Sequence, residues 1–168
     1  LDLSRPAPPR PAPTSPAPVP TAAAPGGGDA SGVLAQLSAA TRVVVLAGPG
    51  VIEAGAVPAL HAFATAGQVG VLNTWGAKGI FPWQSPHHWA TIGLQRDDFR
   101  LAGLAEADLI VAVGLDRNES PAARWQLAPH VKVAPGALGV LAQEWRRPAG
   151  TPPMPPLRHR LAEVQADA

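Results

Sequence analysis

An uninterrupted apolar run bordered by glycine begins after Arg42, where Val43-Val44-Val45-Leu46 leads into Ala47-Gly48-Pro49-Gly50. Three of its four large apolar residues are β-branched. An unbroken run of this kind predicts a strand buried on both faces, because a half-exposed strand would alternate with polar residues. Ala107–Gly114 (ADLIVAVG) has the same form and predicts a second buried strand. Val69–Leu72 and His130–Ala134 predict two shorter ones. Between them lie segments with helical spacing. Ser31–Ala40 places Val33, Leu34 and Leu37 on one face. Ala56–Ala66 tolerates Pro58 only in its first turn, and Gly67 reads as its C-cap. Phe99–Ala105 is a short helix with Asp97 or Asp98 near its start, where the helix dipole favours acid. Pro121–Leu127 and Ala137–Trp145 complete the set. Strands alternating with helices predict an α/β fold with a parallel sheet covered on both faces. Asn73–Pro82 reads as an ordered glycine-rich loop. Trp83, Pro86, His87, His88 and Trp89 read as a dense aromatic loop.

Composition sets the boundaries of this body. Of 21 prolines in 168 residues, nine fall in the first 25, and Pro152, Pro153, Pro155 and Pro156 crowd the other end. Residues 1–30 therefore read as a Pro/Ala/Gly-rich linker, 31–147 as the globular domain, and 148–168 as a Pro-rich exit linker with a short helix. Such flanks bury too little apolar surface to offset the entropy of ordering. A polyproline docking ligand is the alternative for Arg5–Pro25. The formal net charge is +1 with no basic cluster in the body, which argues against nucleic acid as a partner. Cysteine is absent, so disulfides and thiolate metal sites are excluded. No apolar run approaches the roughly 20 residues of a membrane span. The chain starts at Leu1 and reads as cut from something longer.

Candidate chemistry is sparse. Gly48-Pro49-Gly50 follows a strand and could cradle a phosphate or ribose, but its spacing is not GxGxxG, Pro49 donates no N–H, and Glu53 stands close by. Glycines needed only for the strand-to-helix turn explain it equally well. If either sits at positive φ, a Gly→Val change there costs more than about 1 kcal/mol. His87-His88 lacks further ligands at metal spacing and reads as packing beside Trp83 and Trp89. Asp116-Arg117-Asn118-Glu119-Ser120 follows a strand's carboxyl end, where open α/β sheets bind ligands. Alternatively, Ser120 caps the helix opened by Pro121. No catalytic triad, carboxylate pair or thiol nucleophile is visible, and no residue is assigned a catalytic or metal-binding role.

Taken together, LAGPGV (46–51), NTWGAKGIFPWQSPHH (73–88), TIGLQ (91–95) and ADLIVAVG (107–114) resemble the central domain of thiamine-diphosphate-dependent enzymes, most closely the acetolactate synthase and related decarboxylase group. Thr74, Gly76, Gly79, Pro82, His88 and Gly93 fill the middle motif nearly in register, and the order of four motifs is more specific than any one. The resemblance covers about residues 31–146. Leu1-Asp2-Leu3-Ser4 resembles the final strand of the family's amino-terminal pyrimidine-binding domain.

The resemblance implies a three-layer Rossmann-like sheet of about six parallel strands. It implies thiamine diphosphate and Mg²⁺ bound by the flanking pyrimidine- and diphosphate-binding domains of the full enzyme, a transferase or lyase working in the cytoplasm as a homodimer or homotetramer. The isolated domain is expected to be inactive. Some family members bind FAD or ADP here, and matched positions would place the ligand along Gly48, Gly50, Thr74, Gly76, Gly93, Gly114 and Asp116. Two departures point to a decayed nucleotide site. The "I-D-x-D" pattern of FAD-binding members is replaced by Ala134-Pro135-Gly136, and an Arg-Phe-Asp-Asp segment by Leu115-Asp116-Arg117-Asn118. The alternatives are a free-standing nucleotide-binding module, or a subunit-interaction domain using Trp75, Trp83 and Trp89.

Overall fold

The computed structural model describes residues 30–147. The expected linkers, the Leu1–Ser4 strand and the exit helix lie outside these residues, apart from Ala30, which opens the first helix. The elements in chain order are α1 (Ala30–Ala39), β1 (Val43–Ala47), α2 (Gly50–Glu53), α3 (Val57–Gly67), β2 (Gly70–Thr74), a 3-10 turn (Trp75–Ala77), β3 (His88–Ile92), α4 (Asp98–Leu101), a second 3-10 turn (Leu104–Glu106), β4 (Leu109–Val113), α5 (Ala122–Trp125), β5 (His130–Val133), a third 3-10 turn (Pro135–Ala137) and α6 (Leu138–Glu144). Five strands form one parallel sheet in the order β3-β2-β1-β4-β5. This is a Rossmann-like α/β architecture, with five of the roughly six expected strands within the described residues.

The sheet follows directly from the apolar pattern. β1 is central, paired with β2 (Val45 opposite Val71) and with β4 (Val45 opposite Val111). Alternate residues of a strand point to opposite faces. Val43, Val45 and Ala47 therefore join one core with Leu37, Leu60, Phe63, Leu138 and Leu141, under α1, α3 and α6. Val44 and Leu46 join the other with Phe99, Leu104 and Trp125, on the face of α4 and α5. Two covered faces explain why β1 and β4 are buried at every position. The edge strands differ. β3 is buried only at Trp89 and Ile92, and β5 only at Val133.

Three local expectations change. His88 and Trp89 are not loop residues but open β3, pairing through Val71 opposite His88 and Leu72 opposite Ala90. An edge strand with one covered face needs no continuous apolar run, so it lacks the signal that marked β1. Gly67 is not the C-cap of α3; it is the last helical residue, and Gln68 takes the left-handed conformation at φ 48°. Glycine at 67 answers to packing instead, since a Cβ there would lie 2.0 Å from the Trp145 ring. Ser120 makes no capping hydrogen bond to α5; its side chain is buried, and Oγ has no partner.

One surface ion pair ties the start of β1 to the start of β4. Arg42 Nη2 lies 2.8 Å from Asp108 Oδ1, and the Arg42 backbone amide donates to Oδ2 at 2.9 Å. The Arg42 guanidinium, helped by that amide, holds the Asp108 carboxyl below the usual carboxylate range. A depressed carboxyl pKa stabilises the fold above its unfolded value, and the contribution is lost as pH falls through the folded value. Asp108→Asn is therefore expected to lower Tm by about 2 °C at pH 7, a small effect because the pair is solvated. The difference between the two proteins should shrink as pH falls through the depressed folded value, since Asp108 is then protonated and the pair is lost. Melting curves from neutral to acid pH decide it; a difference that does not narrow as pH falls removes the ion pair as the cause.

Candidate functional site

The carboxyl ends of β1, β2, β3 and β4 meet at one rim of the sheet, beside the point where strand order reverses. Open α/β sheets place ligands at such a point. Here they surround an open cleft of about 390 Å³ lined by Pro49, Trp75, Gly93, Asp116, Asn118, Glu119 and Arg124. Each lining residue belongs to a strand end or to the first turn beyond one, except Arg124, which α5 supplies.

Of the seven positions expected to follow a ligand, Gly93 and Asp116 line the cleft. Gly48, Gly50 and Gly114 are joined to each other behind it. The Gly48 amide donates to Val113 O and the Gly50 amide to Gly114 O, both at 2.9 Å. A Cβ on Gly48 would lie 2.4 Å from Gly114 O. Neither Gly48 nor Gly50 has positive φ, so the turn does not demand glycine for its dihedral angles. The demand comes from the close approach of two strand ends. Val51 N donates to Gly48 O, and Ile52 N and Glu53 N donate to Pro49 O. With Pro49 lacking an N–H, the amides from Gly48 to Glu53 are used within the protein.

Thr74 and Gly76 meet Glu119 instead. Thr74 Oγ1 donates to Glu119 Oε2 at 2.5 Å. The other oxygen occupies the space over Gly76, where a Cβ would lie 2.1 Å from Oε1. Asp116 Oδ1 accepts the amides of Asn118 at 2.6 Å and Glu119 at 3.2 Å, which folds the loop after β4 on itself. Arg124 reaches across to the loop after β3, donating to Gly93 O at 3.2 Å, to Gln95 O and to Arg96 O, with its guanidinium 5.0 Å from the Phe99 ring centre. Asp98 secures the same loop from its amide side, accepting from Gly93 N at 3.0 Å and Gln95 N at 2.8 Å.

Arg124 could not be found from the sequence, because its partners lie about 30 residues upstream in an unpredictable loop. Glu119 was legible as part of a post-strand polar segment, but not its reach to Thr74. His87 lies away from this rim. Its Nδ1 is 2.9 Å from Val69 O, and its ring is tilted against Phe81 with centres 6.4 Å apart. Trp83 is exposed and Trp89 is buried. Among the described residues no group of three His, Cys, Asp or Glu side chains is placed to hold a metal. The amides of the Gly48–Glu53 turn are used within the protein, and Asp116 and Glu119 bring carboxylates to the cleft, a poor setting for a diphosphate.

Comparison with known proteins agrees with this architecture. A solved structure of a candidate thiamin diphosphate-dependent enzyme from Mycobacterium smegmatis matches with a TM-score of 0.59 and 17% sequence identity. The match covers 76% of this chain and 29% of that one, so this chain spans under a third of the solved protein's length. No curated protein sequence matches. Residues 30–139 match the family model described as thiamine pyrophosphate enzyme, central domain. That match takes in all five strands and the whole strand-end rim, and it shows that the chain belongs to the thiamine pyrophosphate enzyme central-domain family.

Proposed function

We propose that this domain is the structural middle of a thiamine-diphosphate enzyme of the acetolactate synthase-like group, and that it holds its flanking domains apart without binding a nucleotide or performing chemistry itself. The observation that carries this reading is the closed rim. The Gly48 and Gly50 amides are bonded to Val113 and Gly114, and the Glu119 carboxylate fills the space over Gly76. Helix-terminal and loop amides bind a diphosphate only when their N–H groups are free to point at it. An anionic ligand would also have to approach Asp116 and Glu119. The family match supports thiamine diphosphate as the full enzyme's cofactor, and Mg²⁺ belongs with it on the flanking domains of the same polypeptide. The full enzyme acts as a cytoplasmic transferase or lyase, assembled as a homodimer or homotetramer. No residue of this chain is placed in its chemistry.

The competing version is a carried FAD or ADP lying along Gly48, Gly50, Thr74, Gly76, Gly93, Gly114 and Asp116. Titration of the 168-residue chain with FAD, ADP and coenzyme A, followed by calorimetry and thermal shift, separates the two. The expected result is no saturable heat and no rise in Tm at millimolar ligand. Tight one-to-one binding of FAD or ADP overturns the closed-rim reading and leaves the family assignment standing. A bound ligand at one hundred times its dissociation constant would raise stability by about 2.7 kcal/mol, so a flat thermal shift is informative.

A further inference from the structure

We propose that the end of β2 carries a carboxylate-binding seat, built by the Thr74 hydroxyl and the bare backbone at Gly76, and that Glu119 is its tethered occupant, replaceable by a free monocarboxylate. This rests on the closed-rim reading, in which Glu119 fills the space over Gly76. The seat has a donor and a shape. Thr74 is wholly buried, so its hydroxyl must find a partner inside the protein, and it donates to Glu119 Oε2 at 2.5 Å. A distance this short is what a hydroxyl bonded to an ionised oxygen shows. The carboxylate lies against Gly76, where a Cβ would stand 2.1 Å from Oε1, 2.9 Å from Cδ and 3.1 Å from Oε2. A side chain at 76 must therefore push the carboxylate aside. Gly76 does not have positive φ, so glycine there answers to the carboxylate and not to the turn.

The seat and its occupant are held separately, and that makes the occupant exchangeable. Thr74 is the last residue of β2, paired with Ile92 of β3, and Gly76 lies in the 3-10 turn directly beyond it. The loop that presents Glu119 is fixed by other bonds. Asp116 Oδ1 accepts the amides of Asn118 and Glu119, Asp116 O accepts the Ser120 amide at 2.9 Å, and Ser120 O accepts Trp125 Nε1–H at 3.2 Å. None of these uses the Glu119 side chain. Shortening it leaves a buried hydroxyl without its acceptor, which is costly, beside a space with the outline of the atoms removed. Glu119→Ala removes Cγ and the carboxyl group, which together have the shape of acetate. Because Glu119 lines the open cleft, acetate can enter from solvent. In the parent chain the tether gives the Glu119 carboxylate an effective concentration that dilute acetate cannot match.

Thermal unfolding of the 168-residue chain at pH 7, in sodium acetate and in sodium chloride of equal ionic strength, tests this. In chloride, Glu119→Ala is expected to melt about 5 °C below the parent. Acetate at about 0.2 M should restore about half of that loss, saturably, once the parent's own acetate shift is subtracted. Glu119→Gln keeps a tethered acceptor and should show no shift specific to acetate. Adding Thr74→Val to Glu119→Ala removes the donor and should abolish the rescue. An E119A protein that acetate raises no more than the parent overturns the proposal. Equal rescue of E119Q and E119A, or rescue that survives Thr74→Val, overturns it as well. Each of these failures leaves the closed-rim reading standing, because that reading falls only if the parent chain binds FAD or ADP.

Discussion

Gly48→Ala is expected to destabilise the domain by about 3 kcal/mol, the upper part of the range for overpacking a well-filled interior. For a body of this size that corresponds to a fall in Tm of about 10 °C. The added Cβ would stand 2.4 Å from Gly114 O, 2.7 Å from Leu115 Cα and 2.9 Å from Gly114 C. All three are backbone atoms of the loop after β4. They cannot move without breaking the 2.9 Å bonds from Gly48 N to Val113 O and from Gly50 N to Gly114 O. Gly50→Ala should cost less, because its nearest contacts are 2.9 and 3.0 Å. Gly136→Ala is the control, with nothing within 4 Å of its Cβ position. Urea unfolding of the three variants orders them. If G48A unfolds at the parent's midpoint, the seam between the β1 and β4 ends is wider than the structure places it.

The second large effect is at Gly70. Its Cβ position lies 1.7 Å from Trp89 Cε2 and 2.0 Å from Cδ2, inside the indole itself. Trp89 is nearly buried on β3, lying across the first residue of β2. Gly70→Ala must therefore evict the ring, exposing indole surface and loosening the edge strand. The expected loss is about 2 to 3 kcal/mol. The cause can be isolated by adding Trp89→Leu. That change removes the ring and costs stability alone, but in its background Gly70→Ala should cost under about 1 kcal/mol. The two changes are thus strongly non-additive, as contacting residues should be. Additive losses would mean that Gly70 matters through its own backbone freedom and not as a seat for Trp89.

These two positions show how glycine was misjudged from the chain alone. From the chain alone Gly48 belongs either to a phosphate or ribose loop or to a strand-to-helix turn, and Gly67 is a cap, all local backbone roles. In the structure, Gly48 gives room to Gly114, Gly67 to Trp145, and Gly70 to Trp89. Those neighbours are 66, 78 and 19 residues away in the chain, and no local pattern reports them. Thr74 and Glu119 are likewise 45 residues apart and Gly93 and Arg124 31, so the cleft's outline was legible as strand ends while its hydrogen bonding was not.

What the sequence by itself determined is the layered plan. Unbroken apolar runs rich in β-branched residues at 43–46 and 109–113 can be satisfied only between two covering layers, and helical segments between strands make parallel pairing the only short connection. It also pointed to the strand ends, where the glycines and the Asp116–Glu119 segment fall, as the place to look for a ligand. Tertiary structure decided the rest. It made His88–Ile92 a strand, because edge pairing with β2 supplies hydrogen bonds that a half-polar run cannot announce. It closed the glycine rim, because β1 and β4 are neighbours and their ends approach too closely to leave amides free. It set Glu119 over Gly76, since only the folded sheet brings the loop after β4 to the end of β2. Burial is encoded residue by residue, whereas which polar groups satisfy one another depends on which strands become neighbours.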